Sequence, residues 1–420
     1  MRLIGAASIV FVTTLVVAAT TSGPAATAVE QVESSVGDNA RGHREDDRPE
    51  HRFGRKIFRE DTFGDEQLWT DVLQMHNVIG TVPPVAALGL GLKVDVDALP
   101  AEIIAAISAG QGLDDPTVTV ALLQLNAVVG VRAKVNDLGQ VTSFGITCAL
   151  CHSIVDDSLT AGVGHRLDGW ANTSLDVGKI AALSPFFDDA TKAEFRLWGP
   201  GKYDPRHHAF DGTNIIPLNS PSLPVVIPPI YGLKRVGFET YTADGPISYW
   251  NSYVGIGQMG GQGTFADPRI GLFIRQRPDL VTPKLPALLA YQLSLETPPP
   301  PPGSFDRAAA RRGKRLFKDE AGCASCHHGP TFTDVLDGPW WRLPRLHDPA
   351  EVGTDPAYAA RSATGKYRTT PLRALWQHAP YFHDGSAADL LAAVNHYNQQ
   401  FDLRLSEAQK ADLVAYLKSL

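Results

Sequence analysis

Two short cysteine motifs constrain this chain more than any other feature of its sequence. The 420 residues include only four cysteines, too few for a disulfide scaffold of this length. They form two Cys-x-x-Cys pairs, and a histidine directly follows each pair. The motifs are Cys148-Ala-Leu-Cys151-His152 and Cys323-Ala-Ser-Cys326-His327.

A Cys-x-x-Cys pair in such a protein has three ordinary interpretations: a disulfide, a thioredoxin-type redox pair, or half of a zinc site. None of them requires the histidine, and histidine is only 13 of the 420 residues. Covalent attachment of c-type haem does require it, because the thiols tether the haem and the imidazole binds its iron. The motifs therefore predict two covalent c-type haems with His152 and His327 as axial iron ligands. Disulfides or zinc remain as alternatives.

The N-terminus predicts export. A basic start at Arg2 precedes an apolar run from Leu3 to Ala19, and a small-x-small site ends at Ala28. This pattern indicates a signal peptide over residues 1–28 rather than an uncleaved anchor. We expect a periplasmic or secreted protein with no membrane insertion after cleavage.

Composition shifts divide the remaining chain. Residues 29–52 are charged and lack large apolar side chains, which predicts a disordered leader. Five prolines followed by glycine predict a stiff linker over residues 298–303. The expected domains are residues 53–297 and 304–420.

The two predicted domains share landmarks in the same order. Gly54-Arg-Lys-Ile-Phe58 matches Gly313-Lys-Arg-Leu-Phe317 before the cysteines, and Pro229-Ile-Tyr-Gly-Leu233 matches Pro371-Leu-Arg-Ala-Leu375 after them. This order predicts two copies of one fold. The first copy carries an insertion at about residues 60–145.

The apolar patterning predicts an all-α fold with long loops. Ser406 and Gln409 form a capping box before a C-terminal helix. Ser386 is expected to cap the preceding helix, and Asp115 to begin a helix that continues through Val129. A net charge of −7 and a pI near 6.0 give no reason to expect a nucleic-acid partner.

The last 115 residues carry a set of motifs that resembles the bacterial di-haem cytochrome c peroxidases and their relatives. Those relatives include the peroxidase that matures methylamine dehydrogenase and the rubber oxygenases. The resemblance is loose over residues 53–297. Its motifs are Gly313-x-x-Leu-Phe317, the second cysteine motif, Thr370-Pro-Leu-Arg-x-Leu375, Ala379-Pro-Tyr-Phe-His-Asp-Gly-Ser386, His396-Tyr397 and Leu413-Val-x-Tyr-Leu-Lys-Ser-Leu420.

The resemblance implies two cytochrome c-like domains with one haem each. The C-terminal haem would pass electrons to or from a reactive N-terminal haem, which meets peroxide, oxygen or an organic substrate. The expected partner is a small redox protein or a quinol-linked electron donor or acceptor. The alternative is a pure electron-transfer cytochrome with two six-coordinate haems and no substrate.

The second axial ligands are predicted less directly. Where the family places a methionine ligand for the C-terminal haem, this chain has Tyr397, which is either a ligand or a core aromatic residue. For the first haem, His165 leads as the distal candidate and Met259 is second, whereas His76 fits a packing role better.

Two departures from the family pattern weigh against ordinary peroxide turnover. Gln258 stands where the family has an acid–base glutamate, and an amide cannot shuttle a proton at neutral pH as a carboxylate does. Ala243 stands where the family has an electron-relaying tryptophan, with Trp170 or Trp250 as substitutes. We therefore assign no catalytic residue from the sequence.

Three further features allow two interpretations each. The segment Asp204–His208 is either a metal site or, more simply, a solvated loop. Arg166 either holds a haem propionate or forms an ion pair with Asp168. Trp340, Trp341 and Arg342 either border the second haem or pack on the core.

Overall fold

The architecture is taken from a computed structural model that describes residues 48–218, 221–335 and 344–420. The predicted signal peptide, most of the predicted leader, and the segment Trp340–Arg342 lie outside the described residues. In the part of the chain that is described, no helix is both long and apolar enough to cross a membrane.

Helices dominate the regular structure. The longest span ten to twelve residues and lie at the two ends of the predicted domains. The α-helices are α1 Pro49–Glu60, α2 His76–Ile79, α3 Pro84–Gly89, α4 Ala101–Ser108, α5 Pro116–Gln124, α6 Ala149–His152, α7 Val177–Ala181, α8 Asp189–Arg196, α9 Ile247–Tyr253, α10 Leu285–Ser294, α11 Arg307–Lys318, α12 Pro349–Val352, α13 Pro356–Ala360, α14 Leu390–Gln400 and α15 Glu407–Lys418. Shorter turns are π-helical at Gln67–Val72 and Val254–Gln258 and 3-10 at Val96–Ala98, Pro268–Ile270, Thr282–Lys284 and Cys323–Ser325.

Short strands accompany the helices, so the all-α prediction is correct only in part. The described residues contain seven two-stranded sheets, of which β1–β5 is parallel and the others are antiparallel. Loops between helices pair locally, which satisfies their backbone groups without a large sheet. The pairs are β1 Val94–Asp95 with β5 Val163–Gly164, β2 Val131–Val135 with β3 Val141–Ile146, β4 Ser153–Val155 with β6 Arg166–Asp168, β7 Lys202–Tyr203 with β10 Val225–Val226, β8 His208–Phe210 with β9 Ile215–Pro217, β11 Thr264–Asp267 with β12 Leu272–Arg275, and β13 Leu346–His347 with β14 Tyr367–Arg368.

The predicted repeat is visible in two equivalent helix crossings. Helix α1 packs against α10, and helix α11 packs against α15. A Cβ at Gly54 would lie 2.0 Å from the carbonyl oxygen of Ala287, and a Cβ at Gly313 would lie 2.0 Å from that of Asp412. Only glycine permits backbones to approach this closely, which explains why both copies carry it.

A second pair of equivalent contacts follows each cysteine motif. The N–H of Gly232 donates to the carbonyl of Leu295 at 2.7 Å, and the N–H of Ala374 donates to that of Leu420 at 3.1 Å. Gly232 and Ala374 also share a left-handed backbone, with φ of 62° and 44°. The matched landmarks thus occupy matched positions in the two copies.

Two of the predicted helix boundaries are wrong. Helix α5 does begin after Asp115, whose carboxylate accepts the N–H of Thr117. It ends at Gln124 rather than Val129, because Asn126 turns left-handed and the following residues bridge to β1. A local pairing partner therefore overrides the helical pattern.

The helix α14 begins at Leu390, later than predicted from Ser386. Asp389 caps it by accepting the N–H of Ala392, since a carboxylate is as good an N-cap as a hydroxyl. The capping box of Ser406 and Gln409 before α15 is confirmed in both directions.

The ordered chain includes the end of the predicted leader. Helix α1 begins at Pro49, and His51 within it is buried, so residues 49–52 belong to the folded part rather than to a disordered segment. Residues of the predicted insertion contribute to the large N-terminal core. The predicted linker at 298–303 has no helix or strand.

The two predicted domains pack together within one unit that extends from Arg48 to Leu420. Buried ion pairs join them or lie at their contact: Arg206 with Asp244 at 2.5 Å and Arg361 with Asp204 at 3.1 Å. Asp244 also accepts the N–H of Ala363 at 2.6 Å. Charges this deeply buried are costly unless paired, so these contacts fix how the two domains meet.

Candidate haem sites

The second cysteine motif lies on the wall of a large cavity. Cys323, Cys326 and His327 line a space of about 470 Å³, within the usual range of about 300–1,000 Å³ for a site that encloses a cofactor-sized ligand. Helices α14 and α15 supply apolar residues to the same wall, including Val394 and Leu413. The cavity has the size and the lining that a tethered porphyrin requires.

The His327 side chain is arranged as an iron ligand would be. Its Nδ1 lies 3.0 Å from the carbonyl oxygen of Phe332, and this hydrogen bond fixes the tautomer that leaves Nε2 free. Burial lowers the pKa of His327, an effect that the Phe332 carbonyl opposes in part. The imidazole is therefore neutral, as metal ligation demands.

An arginine with one unsatisfied nitrogen supports the presence of an anionic cofactor in this cavity. Arg373 lines the cavity, and its buried Nη1 has no hydrogen-bond partner among the described residues. Burial lowers the pKa of its guanidinium to about 10. A buried N–H group without an acceptor is costly, whereas a haem carboxylate would accept a hydrogen bond from it. Arg373 fits the predicted haem.

Tyr397 is the best-placed candidate for the second axial position. It lines the same cavity, and burial together with the nearby thiols of Cys323 and Cys326 raises the pKa of its phenol to about 12. Three further histidines line the cavity, and each has its Nε2 engaged. The partner is the Thr369 hydroxyl for His347, the Arg373 carbonyl for His378 and a tyrosine hydroxyl for His383.

The first cysteine motif is held by the short helix α6. Cys148 and Cys151 are one helical turn apart, which places both thiols on one face. The Nδ1 of His152 lies 3.1 Å from the carbonyl oxygen of Pro228, the same arrangement as at His327. Burial lowers the pKa of His152 to about 4, so this imidazole is also neutral and able to bind iron.

The state of the thiols argues against a redox pair. All four cysteines are free of disulfides. Burial raises the thiol pKa to about 12 at Cys148 and Cys151 and to about 11 at Cys323. Thioredoxin-type cysteines have a lowered pKa, and these have the opposite.

The structure contradicts His165 as a distal ligand. Its side chain is 58% exposed, and its Nδ1 lies 2.9 Å from Asp97, so a surface carboxylate already engages this imidazole. Met259 is buried in the N-terminal core and remains a candidate. Its backbone carbonyl accepts the indole N–H of Trp69.

Gln258 is firmly held and offers no carboxylate. Its Oε1 accepts the Tyr203 hydroxyl at 2.6 Å, and its Nε2 donates to the His208 carbonyl at 2.9 Å. Trp250 is committed to the core, where its indole donates to the Glu239 carbonyl. It is therefore a poor substitute for the missing relay tryptophan.

Trp170 contacts the other domain. Its ring lies 5.7 Å from that of Trp376 at an interplanar angle of 81°. Trp170 follows Gly169, whose N–H donates to the carbonyl of His152, and Trp376 follows Leu375, which lines the second cavity. The two indoles thus connect the first motif to the wall of the second site. Sequence reasoning missed Trp376, because nothing local distinguishes it from a core tryptophan.

One short segment serves both sites. The carbonyl of Pro228 accepts the His152 Nδ1–H, and Pro228 and Pro229 also line the cavity beside His327. The repeat offered a signal for this, since Pro229 matches Pro371, which lines the same cavity. The two candidate haem sites are therefore neighbours that share a wall.

The remaining ambiguous features have structural roles. Arg166 pairs with Asp95 at 3.0 Å rather than with Asp168, which instead accepts from Arg59 at 2.6 Å. Within the segment Asp204–His208, the carboxylate of Asp204 is used by the domain contact. No metal site forms there among the described residues.

Comparison with known proteins gives these sites a context. Residues 310–420 match the cytochrome c family. Cytochrome-c peroxidase IdrP2 of Pseudomonas sp. (strain SCT) is 34% identical over 143 residues, covering 26% of this chain and 39% of that protein. Methylamine utilization protein MauG of Methylorubrum extorquens is 34% identical over 131 residues, covering 27% and 35%.

These matches have a limited reach. They span less than half the length of either curated relative. A solved MauG-like protein associated with microbial copper homeostasis aligns over 52% of this chain and 86% of its own at 19% identity, with a TM-score of 0.36, too low to carry an argument. The resemblance to the di-haem cytochrome c peroxidase superfamily and the covalent c-type haem are nevertheless confirmed.

Proposed function

We propose that this chain, a relative of the di-haem cytochrome c peroxidase superfamily, is an exported oxidoreductase with two communicating haem sites. The observation that carries the proposal is the shared wall at Pro228, which binds His152 on one side and borders the cavity of His327 on the other. Electron transfer between two haems requires a short distance between them, and Pro228 contacts both candidate haem sites.

Each protein group has a role in this arrangement. Bound haem iron supplies one-electron redox chemistry. His152 and His327 would hold the iron through Nε2, because their other ring nitrogens are fixed by backbone carbonyls. Arg373 would balance the carboxylates of the second haem. Tyr397 would be a further protein ligand to that haem, and a hard phenolate donor would favour the ferric state.

The contact between Trp170 and Trp376 supplies a second connection between the sites. In this proposal the C-terminal site exchanges electrons with a small redox protein or a quinol-linked donor. The N-terminal site meets peroxide, oxygen or an organic substrate.

Gln258 favours a second candidate function. Its amide is locked by Tyr203 and His208, so it cannot act as the acid–base group that peroxide cleavage uses. A pure electron-transfer cytochrome, with both irons six-coordinate, needs no such group.

Spectroscopy of the purified holoprotein separates these functions. The oxidoreductase requires two c-type haems, one of which binds carbon monoxide in the reduced state. Two low-spin haems, neither of which binds carbon monoxide in the reduced state, would establish the electron-transfer alternative.

Single variants test the ligand assignment in the same spectra. His152→Ala and His327→Ala should each disturb one haem signal, because each removes one axial ligand. His165→Ala is the matched control and should leave both signals intact. A full pair of signals in either ligand variant would contradict the assignment.

A further inference from the structure

Helix α11 presents a row of basic side chains to solvent. Their positions recur every three or four residues, so they share one face of the helix. The residues of this basic stripe are Arg307, Arg311, Lys314, Arg315 and Lys318, and each of them is exposed. Residues 306–320 hold six basic and three acidic side chains, a local excess of positive charge in a chain whose net charge is −7.

The basic stripe forms no ion pair among the described residues. Arg312, on the flank of the same helix, does pair with Asp412. Of the other acidic neighbours, Asp306 caps the helix and Glu320 accepts a hydrogen bond from a glutamine amide. Like charges on one helix face repel one another, so the stripe does not help this helix to fold.

The first copy of the fold uses the matching helix differently. In α1 the residue that matches Lys318 is Arg59, which binds the carboxylate of Asp168 at 2.6 Å. Arg55, which matches Lys314, also has a partner in the fold. Neither lysine of α11 has a hydrogen bond or an ion pair among the described residues. Internal contacts therefore explain the basic residues of α1 but leave those of α11 without a structural role.

The basic stripe ends beside the second cysteine motif. Helix α11 packs against the turn Cys323–Ser325, and its Phe317 lines the cavity. Ser325 is exposed and also lines the cavity, so the cavity approaches the surface at this turn. Lys318 precedes Cys323 by five residues, which limits the distance between their Cα atoms to about 18 Å. A docked protein that covers about 800 Å² of this surface can contact both the stripe and the turn.

The charge and the position of the stripe together indicate its partner. Positive charge beside the point where an electron enters or leaves favours a negatively charged partner. A membrane fits less well, because the large apolar residues Leu316 and Phe317 of α11 are buried in the domain and the helix has no apolar face to insert.

We propose that the basic stripe of α11 is the docking surface for a small acidic electron-transfer protein. The partner exchanges one electron with the second haem across the turn Cys323–Ser325. In the reducing direction the electron leaves the partner's cofactor and the haem iron changes from ferric to ferrous, with no bond or proton transferred. This inference rests on the proposed function for the second haem and names the partner of that site.

The first test uses reduced flavodoxin, a small acidic flavoprotein, as the electron donor to the holoprotein. Stopped-flow spectroscopy follows reduction of the second haem, which is the signal lost in His327→Ala. The ionic strength is varied from about 0.02 M to about 0.3 M, a range over which screening becomes strong. The chain and the probe both carry net negative charge, so net charge alone predicts that salt speeds the reduction.

Docking at the basic stripe predicts the opposite dependence on salt. We expect the rate constant to fall about tenfold over this range, because salt screens a local attraction. A rate constant that rises with salt, or that does not change, would overturn the proposal. This measurement needs no variant, so it decides the proposal even if a variant fails to fold.

A matched pair of double variants locates the surface. Arg311→Glu with Arg315→Glu reverses two charges of the stripe, and glutamate is about as good a helix former as arginine. Arg52→Glu with Lys56→Glu reverses the two exposed charges at the equivalent positions of α1, so the net charge changes by the same amount. Haem spectra and denaturant unfolding verify that both double variants are folded.

We expect the α11 double variant to slow reduction by flavodoxin about tenfold at low salt, and the α1 double variant to slow it less than about twofold. Calorimetry should show that flavodoxin binding weakens by similar factors. Equal effects of the two double variants would show that net charge acts without the stripe and would overturn the docking surface.

Vesicles of anionic phospholipid test the competing occupant. Vesicle binding that is lost in the α11 double variant, together with an unchanged rate of reduction by flavodoxin, would assign the stripe to a membrane and contradict the proposal. Absence of a haem signal that depends on His327 would contradict the proposed function itself. A second haem that is present but whose reduction does not depend on the stripe would contradict the docking surface alone.

Discussion

At the residue scale, the chemistry depends on buried groups whose ionisation the fold controls. Both predicted iron ligands are neutral because burial lowers their pKa. Burial likewise raises the thiol pKa of Cys148, Cys151 and Cys323. A single physical effect therefore favours ligation over thiolate chemistry.

His208 makes stability depend on pH. Burial, and then the neighbouring His207, lower the pKa of His208 from 6.5 to about 4. The unfolded state therefore binds a proton between these values that the folded state does not, and stability falls as pH falls through that window. Between pH 7 and pH 4.5 the expected loss is up to about 2 kcal/mol.

Urea unfolding at both pH values measures this loss. His208→Gln should reduce the pH-dependent loss, whereas His165→Gln, at an exposed position, should leave it unchanged. Equal pH dependence in His208→Gln and wild type would show that His208 does not contribute.

At this scale the two motifs can be identified from the sequence alone, because haem attachment demands a fixed local spacing. It predicted the partners of those motifs poorly. The carbonyl that binds His152 is 76 residues away in the sequence. The role of Arg373 is evident only once the cavity around it is known. Long-range contacts of this kind leave no local signature.

At the scale of elements, each of the two predicted domains is organised around one helix crossing, α1 with α10 in the first and α11 with α15 in the second. The repeated glycine predicted equivalence, and the structure shows its cause in the contacts of Gly54 with Ala287 and of Gly313 with Asp412. The end of α5 and the start of α14 were predicted less well. A β-bridge to Val94 ends the helical segment after α5, and Asp389 caps α14 in place of Ser386.

Gly313→Ala tests the second crossing. The added methyl would lie 2.0 Å from the Asp412 carbonyl, so the helices must separate, and we expect a loss of about 1–3 kcal/mol. Denaturant unfolding of the holoprotein measures it.

Gly89→Ala in helix α3 is the matched control, because no atom lies within 4 Å of its added Cβ. It should be neutral or slightly stabilising, since alanine is the better helix former. A loss at Gly89 as large as that at Gly313 would argue against close packing as the cause.

At the scale of the whole molecule, buried ion pairs hold the two domains in one unit. Asp244 has no exposed side-chain surface and binds Arg206 from its own domain and the backbone of Ala363 from the other. The sequence singles out the neighbouring Ala243, but only the structure shows what Asp244 does.

Asp244→Ala should therefore destabilise the protein by about 3–5 kcal/mol, the usual effect of leaving one partner of a buried pair uncompensated. The loss should also loosen the domain contact, so proteolysis within the linker at 298–303 should become faster. Asp348→Ala, which removes an exposed ion pair, is the control. Similar stability of the two variants would mean that the network does not join the domains.

The shared wall at Pro228 has a consequence for how the protein is made. The first motif leaves the ribosome well before Pro228 does, and Pro228 belongs to a wall that the second domain completes. His152 therefore lacks its backbone partner while the nascent chain is still short. The first haem-binding motif therefore reaches its final geometry only after the chain has been synthesised through Pro228.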